Sequence, residues 1–135
     1  MTARLQRVGL NIKRLQVRHH RALDRALSEH GITLVQWDAL RHLHQNPDAS
    51  LHDLAQLTFQ SDQAFGTLAQ RMIERGLIER VDGPGRAVKH RLTDKGERLR
   101  TACDGVVDGV FRDTIGRLSV EELAQLDALL SKALS

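Results

Sequence analysis

Apolar residues recur every three or four positions along most of this chain, the spacing of one face of an α-helix. The first run spans about three heptads and predicts a long helix that Thr2 caps and Gly31 ends. Its narrow apolar seam consists of Leu5, Val8, Ile12, Leu15, His19, Ala22 and Ala26. A long helix with so narrow a seam needs a second helix to cover it.

Serine and threonine residues precede the later helical runs, and we expect them to cap those helices by accepting backbone N–H bonds. Ser50 and Ser119 are each followed three residues later by an acid, Asp53 and Glu122, which predicts two capping boxes. The Asn46-Pro47 pair is expected to stop the second helix. The expected caps are Thr33, Ser50, Ser61, Thr93 and Ser119.

Each of these helices is predicted to bury one apolar face. The faces are Trp37, Leu40 and Leu43; Leu54, Ala55 and Leu57; Phe65, Leu68 and Met72; Leu99, Cys103, Val106 and Val110; and Leu123, Leu126, Leu130 and Ala133. Because the first, fifth and sixth helices all carry seams, we expect a dimer whose terminal helices interlock. Gly105, Gly109 and Gly116 are placed in the fifth helix, where they either allow a partner helix to approach closely or mark a bend.

Residues 50–92 combine a short helix, a turn, a second helix with a polar outer face and a basic hairpin. The hairpin strands are predicted at Ile78–Val81 and Val88–Leu92, joined by the turn at 82–85. A helix-turn-helix followed by a hairpin with Arg86 near its tip is typical of proteins that bind duplex DNA. The predicted fold class is mainly α with a small β-hairpin: a winged helix-turn-helix plus a helical dimerisation region.

Composition and charge agree with this interpretation. The 135 residues are the length of one ordinary domain, and the low aromatic fraction of 3% favours helices with an aliphatic core. The net charge is only +3, but six Lys and Arg residues fall within residues 61–92, where they suit contact with phosphates. A lone cysteine, no visible signal peptide and no long apolar run lead us to expect a cytoplasmic protein.

Five segments in this order resemble the MarR family of bacterial winged helix-turn-helix regulators over nearly the whole chain. They are ITLVQWDALRHL, LAQL, LAQRMIERGLIER, GRAVKHRLTDKG and LSVEELAQLDALL. The resemblance implies one MarR-like domain over 1–135, with a DNA-binding region at 34–92 and a helical dimerisation region at 1–31 and 93–135. It also implies an obligate homodimer, typically a repressor, that leaves a pseudo-palindromic operator when a small phenolic or other aromatic ligand binds.

The predicted DNA-binding residues divide between base reading and backbone contact. Gln63, Thr67 and Gln70 are placed to reach base edges in the major groove, and Arg86 to enter the minor groove. Asp62 would repel phosphate unless it caps a neighbouring amide or accepts from cytosine. The full predicted set is Ser61, Gln63, Ala64, Thr67, Gln70, Arg71, Arg75, Arg86, Lys89 and Arg91.

Two departures from the family pattern bear on the operator. Pro84 stands where the wing usually has an Asp two residues before its arginine, so the Gly-Pro-Gly turn or Asp82 must orient Arg86. The recognition helix lacks the common Ser/Thr pair and Arg near its start.

Analogy with the family also places a ligand pocket at Leu15, His19, Trp37 and Leu40.

The sequence gives less support to a metal site, a redox sensor or an enzyme. The seven histidines include no HxxxH spacing and there is no cysteine pair, so no metal ligand set is assigned and no cofactor is expected. Cys103 falls on an apolar seam, which favours packing over a peroxide-sensing role. No catalytic constellation is visible, so we expect no enzyme. The main alternative is a helical dimer that acts as a protein-interaction adaptor or anti-repressor.

The wing arginine generates a prediction from sequence alone. Arg86→Ala should weaken binding to many DNA sequences alike and flatten the salt dependence, because the variant loses a cation that contacts the phosphates or the minor groove. Affinities measured across a range of salt concentrations test this. An unchanged affinity and salt slope would show that the wing has no such role.

Overall fold

The computed structural model of the protein describes residues 1–81, 85 and 88–135. Within these residues the chain forms six α-helices, one two-stranded antiparallel sheet and a short 3-10 helix. The elements in chain order are α1 (Thr2–Ser28), α2 (Leu34–Gln45), α3 (Leu51–Leu57), α4 (Asp62–Glu74), β1 (Ile78–Val81), β2 (Lys89–Leu92), α5 (Asp94–Arg112), the 3-10 helix (Ile115–Arg117) and α6 (Val120–Leu134). The predicted fold class is confirmed.

The helix starts follow the predicted caps, with one exception. The side chains of Thr33, Ser50, Ser61, Thr93 and Ser119 each accept a backbone N–H bond of 3.0 to 3.1 Å. Thr33 forms a capping box with Gln36, and Ser50 and Ser119 form the two predicted ones. The prediction for Thr2 is wrong, because α1 begins one residue earlier than expected. The Met1 carbonyl accepts the amides of Arg4 and Leu5, and Met1 makes no side-chain cap.

Glycines with positive φ follow two of the helices. Gly31 (φ 71°) lies two residues beyond the α1 C-cap Glu29, and Gly76 (φ 74°) directly follows the α4 C-cap Arg75. Both occupy the left-handed conformation that glycine adopts without steric cost. The placement of Gly116 in the fifth helix is wrong: α5 ends at Arg112, and Gly116 belongs to the 3-10 helix.

The hairpin pairs Ile78 with Leu92 and Val81 with Lys89 at its two ends. A third segment joins its edge, since Ser50 forms an isolated antiparallel bridge with Lys89 and the Leu51 amide donates to the Val88 carbonyl at 2.9 Å. The start of α3 is therefore tied to β2, which fixes the helix-turn-helix against its wing.

One hydrophobic core joins the C-terminal half of α1 to α2, α3, α4, β1 and α5. α1 contributes Leu23 and Leu27, which lie beside the predicted seam residues Ala22 and Ala26 rather than on the seam itself. The core is aliphatic except for Trp37 and Phe65, as the composition predicts. The N-terminal part of the seam, Leu5, Val8 and Ile12, is exposed, while Leu15, His19, Ala22 and Ala26 are half-buried.

Large apolar side chains remain exposed at both ends of the chain. On α1 they are Leu5, Val8, Leu10 and Ile12; on α6 they are Val120, Leu123, Leu129, Leu130 and Leu134. α6 buries no residue. None of the helices that the structure describes combines the length and apolarity that crossing a bilayer requires.

The start of α5 packs unusually closely on the turn between α4 and β1. A Cβ built on Gly96 would lie 2.0 Å from the Leu77 carbonyl oxygen, so no other residue fits there without moving the backbone. The Thr93 hydroxyl donates to the Gly76 carbonyl at 2.6 Å, and the Lys95 ammonium donates to the Arg75 carbonyl at 2.9 Å. By contrast, Gly105 and Gly109 lie inside α5 with open space around a built Cβ, so none of the described residues outside α5 approaches them closely.

Gly96→Ala and Gly105→Ala form a matched pair within α5. Gly96→Ala should destabilise the fold by several kcal/mol, because the methyl group overlaps a backbone carbonyl. Gly105→Ala should stabilise a single chain by about 0.5–1 kcal/mol, since alanine is the better helix former. Urea unfolding of both variants measures the difference. Equal stability of the two variants would rule out the close approach at Leu77.

His90 makes the stability of the fold depend on pH. It is buried on β2, its Nδ1 has no partner within the described part of the chain, and burial, followed by the charge of Arg80, lowers its pKa below 6.5. As the pH falls below about 6.5, the unfolded chain takes up this proton before the folded one does. Stability is therefore complete above that pH and decreases below it.

Thermal unfolding between pH 8 and pH 5 tests this role. The wild-type melting temperature should fall on acidification, and His90→Leu should reduce the fall. Burial also lowers the pKa of His19, so part of the dependence should persist in that variant. His30→Leu, a change at an exposed histidine, is the control. Identical pH profiles for wild type and His90→Leu would contradict the prediction.

Candidate nucleic-acid interface

The turn between α3 and α4 sets the position of the recognition helix. The Gln60 amide donates to the Ala55 carbonyl at 2.8 Å, and the Phe59 amide donates to the Gln56 carbonyl at 3.2 Å. Ser61 then caps α4. On the inner side Phe65 and Met72 are buried, as the apolar spacing predicts, while the predicted Leu68 is half-buried and Ala69 is buried instead. The opposite side of α4 is thereby turned outward.

The outward face of α4 carries the predicted base-reading residues. Gln63, Thr67 and Gln70 are all exposed and follow one line along the helix. The Thr67 hydroxyl donates to the Gln63 carbonyl at 3.1 Å, so its methyl group and its oxygen lone pairs remain for other contacts. Ser61, Ala64 and Arg71 are exposed around this line. The face is polar and offers both hydrogen-bond donors and acceptors.

The predicted backbone-contact residues do not all lie in the same environment. Lys89 and Arg91 are exposed on β2, and Arg91 forms a cross-strand ion pair with Glu79 at 2.5 Å. Arg75 is half-buried at the end of α4 and donates to Gln36 Oε1 at 3.3 Å. Arg86 lies outside the described residues, as do residues 82–84 of the predicted turn, and Gly85 has a φ of 101°.

Two features of the helix-turn-helix were not predicted from sequence. His52 on α3 contacts Asp62, the first residue of α4, with its Nδ1 2.8 and 3.0 Å from the two carboxylate oxygens. Asp62 therefore has a side-chain partner ten residues away, a pairing that no local spacing rule identifies. Phe59 is 94% exposed with a φ of 57°, a left-handed conformation that is costly for a bulky residue.

The four residues of the predicted ligand pocket divide into two pairs. Trp37 and Leu40 lie on α2 and are buried in the hydrophobic core. The Trp37 indole N–H has no hydrogen-bond partner within the described residues. Leu15 and His19 are half-buried on α1. His19 Nε2 lies 2.5 Å from the Thr114 hydroxyl, and its ring packs edge-on against Phe111 with ring centres 4.8 Å apart. Burial and the charge of Arg18 lower the pKa of His19.

The lone cysteine is buried, and four of the other histidines are paired. Cys103 is fully buried, and burial followed by the charge of Asp104 raises the pKa of its thiol, which disfavours the thiolate. His20, His42, His44 and His52 each face a carboxylate. Among the described residues, no group of three or more His, Cys, Asp and Glu side chains lies close enough to hold a metal ion.

Comparison with known proteins agrees with this geometry. The model of the MarR family matches residues 30–87, which include α2, α3, α4 and β1. Apo MarR from E. coli is 25% identical, with a TM-score of 0.79 over 94% of this chain and 96% of that one.

Two further solved structures are complexes with a bound molecule. A Mycobacterium tuberculosis MarR family protein in complex with salicylic acid is 26% identical, with a TM-score of 0.75 over 93% of this chain and 94% of that one. A mutant E. coli MarR complexed with operator DNA is 23% identical and shares the fold, with a TM-score of 0.86 over 98% of this chain and 96% of that one. Through the family-model match at residues 30–87 and the fold it shares with these proteins over nearly its whole length, the chain is similar to the MarR family.

Proposed function

We propose that this protein is a cytoplasmic, homodimeric transcriptional repressor that binds a specific operator and is released from it by a small-molecule ligand. The observation that carries the proposal is the exposed polar line of α4 beside the basic strand β2, in a chain that is similar to the MarR family. Residues 34–92 form the DNA-binding region. Residues 1–31 and 93–135 form the dimerisation region.

The exposed apolar ends of the chain support the dimer. Leu5, Val8 and Ile12 on α1 are each more than half exposed, and on α6 Leu129 and Leu134 are 65% and 81% exposed. Such residues are unfavourable in water and gain about 25 cal/mol for each Å² of apolar surface that a partner covers. A second copy supplies the same two surfaces, so a two-fold arrangement covers both ends.

The DNA-binding mode follows from the exposed residues. α4 enters the major groove, where Gln63 and Gln70 offer the donor–acceptor pair that matches adenine. Lys89 and Arg91 contact the backbone. The minor-groove contact of Arg86 remains the prediction made from sequence, since this residue lies outside the described ones. Two-fold symmetry requires a pseudo-palindromic operator with half-sites about one helical turn, ~10 bp, apart.

The ligand response is supported by the relatives and by the region around His19. Solved M. tuberculosis relatives hold salicylic acid and p-aminosalicylic acid. In this chain His19 packs on Phe111 at the contact between α1 and α5, and the Trp37 indole N–H lacks a partner within the described residues. A small aromatic acid would find a hydrogen-bond donor and aromatic surface among these residues, together with the half-buried Leu15.

Selection of bound sequences from random DNA, followed by affinity measurement, tests the proposal. The wild type should select a pseudo-palindrome. Gln63→Ala and Gln70→Ala should each lower the preference for that operator over random DNA by about 5- to 150-fold, the range for one bidentate base contact. Gln45→Ala, a change at an exposed glutamine on α2, is the matched control.

Two outcomes would contradict the proposal. A wild-type protein that remains monomeric at micromolar concentration in sedimentation would remove the dimer. A dimer that selects no DNA sequence would favour the adaptor interpretation, in which the same helical ends assemble but the recognition helix reads nothing.

A further inference from the structure

A histidine and a carboxylate join the two helices of the helix-turn-helix at their N-terminal ends. His52 is the second residue of α3 and Asp62 is the first residue of α4. Both side chains are about 60% exposed, at 61% and 60%. Since Nδ1 faces both carboxylate oxygens, the imidazole donates a proton there and its Nε2 points away from the pair.

The pair lies on the flank of α4 that faces α3, beside the outward line of Gln63, Thr67 and Gln70. Gly66 is one turn further along that flank, and a Cβ built there would lie 4.0 Å from Leu51 Cδ1 at the start of α3. The flanks of a helix in the major groove face the sugar-phosphate walls, and the first helix of the motif crosses the backbone. A side chain on this flank therefore faces phosphate rather than base edges.

The charges around the pair fit that location. An uncovered Asp62 carboxylate would repel a phosphate several ångströms away. Lys89 lies on the same side, since its backbone bridges Ser50 at the start of α3. Asp53, the neighbour of His52, is engaged by the Ser50 amide at 3.0 Å in the capping box. Of the two acids on this edge, Asp53 serves the helix cap and Asp62 faces His52.

We propose that His52 and Asp62 form a phosphate-contact pair, in which the doubly protonated imidazole of His52 donates from Nδ1 to Asp62, which orients it, and from Nε2 to the DNA backbone, while its positive charge offsets the carboxylate. The inference rests on the proposed DNA-binding function and deepens it. The contact positions α4 and carries no sequence information. His52 thus contacts the DNA backbone, and Asp62 is a positioning residue that acts through it.

A double-mutant cycle tests the pair on the operator selected by the wild type. His52→Ala should weaken binding about tenfold, because the backbone contact is lost and the Asp62 carboxylate is uncovered. The loss should be the same on unrelated DNA, so the selected sequence does not change. The salt slope should fall by about one. In His52→Ala/Asp62→Asn the affinity should recover part of the tenfold loss, because the uncovered charge is gone while the backbone contact is still missing.

Two controls separate this role from structural effects. His44→Ala removes another histidine–carboxylate pair, with Glu97 at 3.3 Å and similar exposure, between α2 and α5. Its DNA affinity should match the wild type. Thermal unfolding of His52→Ala should remain close to that of the wild type, because an exposed ion pair contributes little to stability.

The possible results are distinct. A His52→Ala affinity within twofold of the wild type would overturn the proposal, as would a double variant that binds no more tightly than His52→Ala. A changed sequence preference in His52→Ala would assign the pair to base reading and also overturn it. If the wild type binds no DNA, the proposed function fails first, and the role of the pair fails with it.

Discussion

The approach of α5 to the Leu77 carbonyl is the contact that fixes the rest of the structure. Only a residue without a side chain permits it, because a Cβ at Gly96 would overlap the carbonyl oxygen. Thr93 and Lys95 bond the carbonyls of the same turn, so the start of α5 is held at three neighbouring points. α5 leads towards α6, and α4 and β1 belong to the region proposed to bind DNA. The start of α5 is thus held tightly against the turn that follows α4.

Local signals in the sequence were sufficient for most of the secondary structure. The caps at Thr33, Ser50, Ser61, Thr93 and Ser119 are decided by residues three positions apart, and all five are present. Signals that rest on contacts distant in sequence were missed. The tight packing at Gly96 and the pairing of Ser50 with Lys89 depend on how elements meet, and no periodicity reveals that. Thr2 is of a residue type that favours the N-cap, but α1 already begins at Thr2, with the Met1 carbonyl accepting the first helical amides.

The predictions for the candidate site divide into those that helical periodicity supports and those that depend on contacts distant in sequence. Exposure of Gln63, Thr67 and Gln70 follows from helical periodicity once Phe65 and Met72 are buried, so the sequence identified the outward face. The partner of Asp62 did not follow, because His52 comes close only through the angle between α3 and α4. The half-buried position of Arg75 and its bond to Gln36 likewise depend on tertiary packing. Charge counted along the sequence therefore overstates the number of cations that are equally available to DNA.

α5 connects the surroundings of His19 on α1 to the turn that follows α4. Near its end, Phe111 packs against His19 of α1, and Thr114 lies within hydrogen-bond distance of the same ring. At its start, Gly96 and Thr93 hold the turn that follows α4. A molecule that binds beside His19 changes DNA affinity only to the extent that it favours one orientation of α5 over another. Because the start of α5 has no room for adjustment at Leu77, such a change in orientation has to move β1 and α4 together with the helix.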